Sequence, residues 1–281
     1  MHVISHRGLD FENHHTYTES SREAFEYFLG KGYGLEFDVR ITKDLIPVIS
    51  HDASMSRLTD LDEPEISEMS VADFKETKLP NGTTLTLSEL TTRMQDAKDT
   101  TTCVHALHLK HQNQTQAELD VLIPYLSKLA ELPLILFDAK PEVARQLKQA
   151  VPHLQIAASV AHPYDIQRYN DAVGGTLVSV ADMKDYTDIF DWVWLDEWDR
   201  TDEASGKKAL YTQETFSQLR ELGYKIAVIS PELHATSPKL LGGESHQDAS
   251  DRTTLGTRWN ELALLTPDAI CTDYPHYVST L

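Results

Sequence analysis

The chain has 281 residues, enough for one large domain with a sizeable core. Its 44 Asp and Glu against 25 Lys and Arg give a formal net charge of -19. That balance argues against duplex nucleic acid or an anionic membrane as the main partner, because both are bound through positive charge. No run of eighteen apolar residues occurs, and no basic segment leads into a long apolar stretch. Neither an integral membrane segment nor a signal peptide is therefore expected, and the expected location is cytoplasmic.

Along the chain, short apolar runs alternate with helical patterns. "HVIS", "YGLEFDV", "HALHL", "LILF", "QIAAS", "WVWL", "KIAVIS" and "DAICTD" are eight strand candidates. Between them lie stretches such as "SREAFEYFLGKG" and "TQETFSQLRELG", with apolar residues at spacings of three and four and Gly at their ends. Strand and helix in alternation imply a parallel sheet, and eight such units predict a closed (β/α)8 TIM barrel of class α/β, one domain over 1–281. An open doubly wound sheet ranks second, because no Gly-rich phosphate loop follows the first strand. "IPVIS" is expected to hairpin onto the second strand. Residues 53–104, too long for a plain loop, are expected to form a small inserted subdomain after that strand. Residues 232–256 read as a second polar loop, and Cys103 and Cys271 as unpaired thiols.

Alternation within "GLEFDVRITKDLIPVISHD" (34–52) puts Glu36 and Asp38 on one face and Leu35, Phe37 and Val39 on the other. Two inward carboxylates repel each other and lose hydration unless a hard divalent cation, magnesium, calcium or manganese, lies between them. Other polar groups collect at strand ends: His6-Arg7-Gly8, His51-Asp52, His108 with Lys110, Asp196-Glu197-Trp198 and Thr272-Asp273. Barrel chemistry is carried at that end of the strands. Arg7 offers a fork suited to phosphate oxygens, with an ion pair to Asp38 or Asp273 as its alternative.

"HRG" (6–8), "TESSREAF" (18–25), the 34–52 block, "MSRLTD", "TLSEL", "LHLK" and "DAICTDYP" together resemble the signature of the glycerophosphodiester phosphodiesterase family. The resemblance implies a TIM barrel that hydrolyses a small-molecule phosphodiester to an alcohol and glycerol phosphate with a divalent cation, within lipid and glycerol metabolism. It implies His6 and His51 as acid–base residues, Glu36 and Asp38 as metal ligands, and Arg7, Glu19 and Lys110 as substrate contacts. His108 stands where the family's third metal ligand, a glutamate, is expected. Imidazole there would favour manganese, iron or zinc. It also leaves open a weakened site: an impaired homologue that binds a phosphodiester or sugar phosphate, or an enzyme with a shifted substrate. The family's W-T-V-N reads Ile229-Ser230-Pro231-Glu232, which removes an aromatic wall and adds an acid expected near the mouth. Trp198 is expected to stack on a head group, whereas helix packing is the expected role of Trp192 and Trp194. His14-His15 reads as a solvated pair in a polar loop.

Overall fold

A computed structural model describes residues 1–11, 16–198, 208–233 and 251–281. Eight parallel strands close on themselves: β1 (His2–His6), β2 (Gly34–Ile41), β4 (His105–His108), β5 (Leu134–Phe137), β6 (Gln155–Ala161), β8 (Trp192–Asp196), β9 (Lys225–Ile229) and β10 (Ala269–Thr272), which pairs back onto β1. All eight contain the apolar runs expected to form them. β3 (Pro47–Ile49) hairpins antiparallel onto the end of β2, with Val39 opposite Ile49. A two-residue β7 (Leu177–Val178) pairs with the upper part of β6.

Helices surround this barrel. α1 (Arg22–Gly30) begins where the Ser21 hydroxyl accepts the Ala24 N–H, and its buried stripe is Ala24, Phe25, Phe28 and Leu29. Residues 53–86 carry α2 (Ser56–Thr59), a 3-10 turn at Ile66–Glu68 and α3 (Val71–Glu76). They close over a small apolar cluster of Val48, Met55, Ile66, Met69 and Phe74. α4 (Leu87–Ala97), started by a reciprocal Thr86–Glu89 cap, packs between α1 and α5 (Gln116–Leu129) in the helical ring. The ring continues through α6 (Pro141–Ala150), α7 (Pro163–Tyr169), α8 (Gln213–Glu221), α9 (Arg252–Leu264) and α10 (Pro275–Val278). α9 starts at Arg252, so the polar stretch predicted to run to 256 ends earlier. Its remaining part, 234–250, and His14-His15 lie outside the described residues.

Strand alternation divides the core in two. Outward side chains such as Phe37, Leu107, Leu136 and Val228 meet the helices. Inward ones, Ile4, Ala106, Ile135, Ala157, Trp192, Ala227 and Ala269, fill the barrel itself. Gly34 is required at the bottom of β2, because a Cβ there would lie 2.0 Å from the Val104 carbonyl oxygen. Among the described residues no helix is long and apolar enough to cross a membrane.

Candidate active site

Four inward rows turn from apolar to polar toward the C-terminal end of their strands: Ile4 then His6, Gly34 then Glu36 and Asp38, Ala106 then His108 and Lys110, Cys271 then Asp273. Register places His6 beside Glu36 and Asp38 beside His108. The rows open into a cavity of about 250 Å³ lined by His6, Arg7, Glu36, Asp38, His51, His108, Lys110 and Trp198. Thus eight of the nine predicted site residues meet in one space.

Two histidines are each backed by a carboxylate. His6 Nδ1 lies 2.8 Å from Asp273 Oδ1, and its Nε2 is 4.0 Å from Glu36 Oε2. Burial, and then the neighbouring Arg7, hold the His6 pKa well below the ordinary value. His51 Nδ1 lies 2.7 Å from Asp52 Oδ1, and burial lowers its pKa to about 4 despite the field of Asp38. Both rings are neutral at pH 7. Each keeps Nδ1–H on its carboxylate and offers Nε2 as an acceptor.

The acids are compensated unequally. Asp38 Oδ1 meets Lys110 Nζ at 2.6 Å and His108 Nδ1 at 2.8 Å, while Asp38 Oδ2 faces Arg7 Nε at 3.5 Å. Burial opposes its ionisation, but Lys110, His51 and the bond from His108 outweigh it and hold the Asp38 pKa well below the usual range. For Glu36, burial and the Asp38 charge push the other way, well above that range. Glu36 Oε2 and Asp38 Oδ2 are buried without a hydrogen-bond donor. Glu36, Asp38 and His108 each offer one donor atom, all within 4.8 Å of one another. Two buried oxygens without donors, one on a carboxylate that resists ionisation alone, fit a divalent cation.

His108 is held on both sides. Its Nε2 lies 2.9 Å from Asp138 Oδ2, opposite the Asp38 contact. Burial and Lys110 lower its pKa, yet the bonds to Asp138 and Asp38 outweigh them and leave it raised. The ring stacks on Phe137 at 4.8 Å and 16°, and Phe137 stacks on Trp194 at 4.2 Å and 11°. Trp192 and Trp194 therefore fill the barrel and are not helix-packing residues, a correction to the sequence expectation. Small residues on neighbouring strands, Ala157 and Ala227, leave room for their indoles.

Glu19 does not line the cavity. It lies 3.5 Å from an Arg7 amino group and takes two contacts from Arg57, at 2.5 and 3.3 Å. Arg57 Nε in turn donates to Asp52 at 2.6 Å, so one ionic chain links Arg7 to His51. Arg40 also reaches the wall, donating to the His51 carbonyl at 2.6 and 3.1 Å. Glu232 is not at the mouth either. Its Oε1 accepts the Thr272 hydroxyl at 2.5 Å and the Asp273 N–H at 3.0 Å. Burial, then Asp273, raise its pKa to about 7. His111, beyond the end of β4, also lines the cavity.

Sequence reasoning missed Asp138, Arg57 and the orienting role of Asp273. Arg57 sits in the quoted "MSRLTD", and Asp273 in "DAICTD", which were the available signals. Asp138 had none: alternation sends the residue after inward Phe137 outward, and only its positive φ of 68° turns it back to the cavity.

A closed barrel whose strand ends gather carboxylates, cations and neutral histidines around one cavity belongs to the barrel hydrolases that act on charged esters. The model of the glycerophosphoryl diester phosphodiesterase family matches residues 6–186, and the chain belongs to that family. It is a phosphoric diester hydrolase, and its reaction is hydrolysis of glycerophosphodiesters. Similar solved structures include a glycerophosphoryl diester phosphodiesterase from Parabacteroides distasonis (18% identity, TM-score 0.64, 99% of this chain and 85% of that one). Another is an Oleispira antarctica phosphodiesterase in complex with the product sn-glycerol-3-phosphate (18% identity, TM-score 0.61, 100% and 96%). A third is from Thermotoga maritima (17% identity, TM-score 0.59, 99% and 96%). No curated protein matches the sequence.

Proposed function

We propose that this chain hydrolyses glycerophosphodiesters to an alcohol and glycerol phosphate by histidine acid–base catalysis, with a divalent cation held by Glu36, Asp38 and His108. The supporting observation is the pairing of two carboxylate-backed neutral imidazoles, His6 and His51, with buried acid oxygens that lack donors. When bound, the cation supplies positive charge against the phosphoryl oxygens. Arg7, whose guanidinium lines the cavity, adds a fixed fork to the same oxygens. Lys110, close against Asp38, adds a second positive charge.

His6 is the base. Its Nε2 takes the proton of the attacking hydroxyl or water as the new O–P bond forms. His51, with a side chain 17% exposed, takes up a proton from solvent at Nε2 once the diester is bound and passes it to the leaving alkoxide as the old P–O bond breaks. Trp198, in the cavity wall, is positioned to stack on the leaving head group. Glu19 supports Arg7 from behind and does not itself touch substrate. In this reading 1–281 is one barrel domain; of the 53–104 span expected as an insertion, 53–86 is the inserted part that contributes Arg57 to the brace on Asp52, while α4 belongs to the helical ring. A cytoplasmic setting within lipid and glycerol metabolism fits a small-molecule diester as the partner.

The test is release of glycerol phosphate from glycerophosphocholine and related diesters by purified, chelator-treated protein, before and after magnesium, calcium or manganese is restored. Release that returns with metal supports the reading. Release that is equal with and without metal contradicts the cation's part in it.

A further inference from the structure

His108 stands in the acidic cluster where the resemblance leads one to expect a carboxylate, and an imidazole serves a metal through a deprotonated nitrogen, its other nitrogen almost always held as N–H by a partner. This chain carries the group needed for that second condition. Asp138 Oδ2 lies 2.9 Å from His108 Nε2, while Asp138 Oδ1 accepts the Thr176 hydroxyl at 2.7 Å. Both carboxylate oxygens are thus committed, and Asp138 is not among the donor atoms that converge with Glu36 and Asp38. Its backbone sits in the left-handed region, at φ 68°, which turns the side chain of this strand-end residue toward the cavity. Stacking on Phe137 fixes the ring's tilt, and the two carboxylates fix its rotation.

We propose that Asp138 is a positioning residue that keeps the proton on His108 Nε2 and so presents Nδ1, on the Asp38 side, as the metal-binding atom. The inference rests on the metal reading above. It makes the imidazole a fixed ligand in place of the family's glutamate, through a carboxylate from the neighbouring strand end.

The experiment titrates chelator-stripped protein with Mn²⁺ alone by calorimetry and records pulsed EPR of the bound ion. The proteins are the wild type, Asp138→Asn, Thr176→Val and His108→Ala. The wild type should show nitrogen coupling from one imidazole, and His108→Ala should lose it. Asp138→Asn should bind Mn²⁺ roughly ten- to a hundredfold more weakly, as when a ligand's hydrogen-bond partner is removed. Thr176→Val should weaken binding severalfold, and it carries the test if Asp138→Asn fails to fold. Unchanged Mn²⁺ affinity in Asp138→Asn, or in Thr176→Val should that variant alone fold, overturns the inference even if the metal-free protein melts earlier. Bound Mn²⁺ without nitrogen coupling in the wild type also overturns it but leaves the cation with the two carboxylates. A wild type that takes up no Mn²⁺ overturns the metal reading itself and the inference with it.

Discussion

At the scale of the residue, the two histidines have opposite demands placed on otherwise similar environments. Both lean on a carboxylate through Nδ1, but His6 is buried beside Arg7 whereas His51 stands at the rim. Replacing either by Ala is expected to lower turnover about a hundredfold or more. Their roles separate with the leaving group. A diester that releases nitrophenol needs no proton donor, so His51→Ala should recover most of its activity on that substrate while His6→Ala should not. Steady-state rates on both substrates check this, and equal losses on both in the two variants would contradict the assignment.

At the scale of the element, β4 separates structural from chemical histidines by strand parity. His105 points outward and its Nδ1 accepts the Leu35 N–H of β2 at 3.1 Å. Burial lowers its pKa to about 4, against about 6.5 in an unfolded chain. Between those values the unfolded chain carries a proton that the folded one lacks. The stability His105 contributes is therefore complete above about pH 6.5 and is lost as pH falls toward 4, by on the order of 3 kcal/mol. Other buried groups titrate in this window, Glu232 with the opposite sign, so the comparison is with a variant. His105→Gln should show a flatter dependence of unfolding free energy on pH between 6.5 and 4 than the wild type. Denaturant unfolding at a series of pH values measures it, and parallel profiles would refute it.

Parity also explains what could be read in advance. The alternation in "GLEFDV" put Glu36 and Asp38 on one face, and apolar runs bounded by helical patterns located all eight barrel strands. Parity misleads where the backbone leaves the strand, as at Asp138. It is silent where a partner comes from far along the chain: Glu232 is drawn into the wall by Thr272, forty residues away. The interior place of Trp194 became legible only in the closed barrel, where small residues on adjacent strands make room.

At the scale of the whole molecule, a chain of net charge -19 acts on an anionic diester. Four positive groups stand where that substrate must sit, with Arg7, Arg40 and Lys110 lining the cavity and Arg57 behind it. Parallel topology makes this feasible, because every strand delivers its last inward residue to the same end. The insertion then adds Arg57 from outside the barrel to the ionic chain running from Arg7 through Glu19 to Asp52. The most direct measurement is anomalous diffraction from crystals soaked with Mn²⁺ and glycerol phosphate. A single manganese peak bounded by Glu36, Asp38 and His108, with the phosphate between His6 and His51, is the predicted result. Phosphate bound with no manganese there, and Lys110 still closed on Asp38, would contradict it.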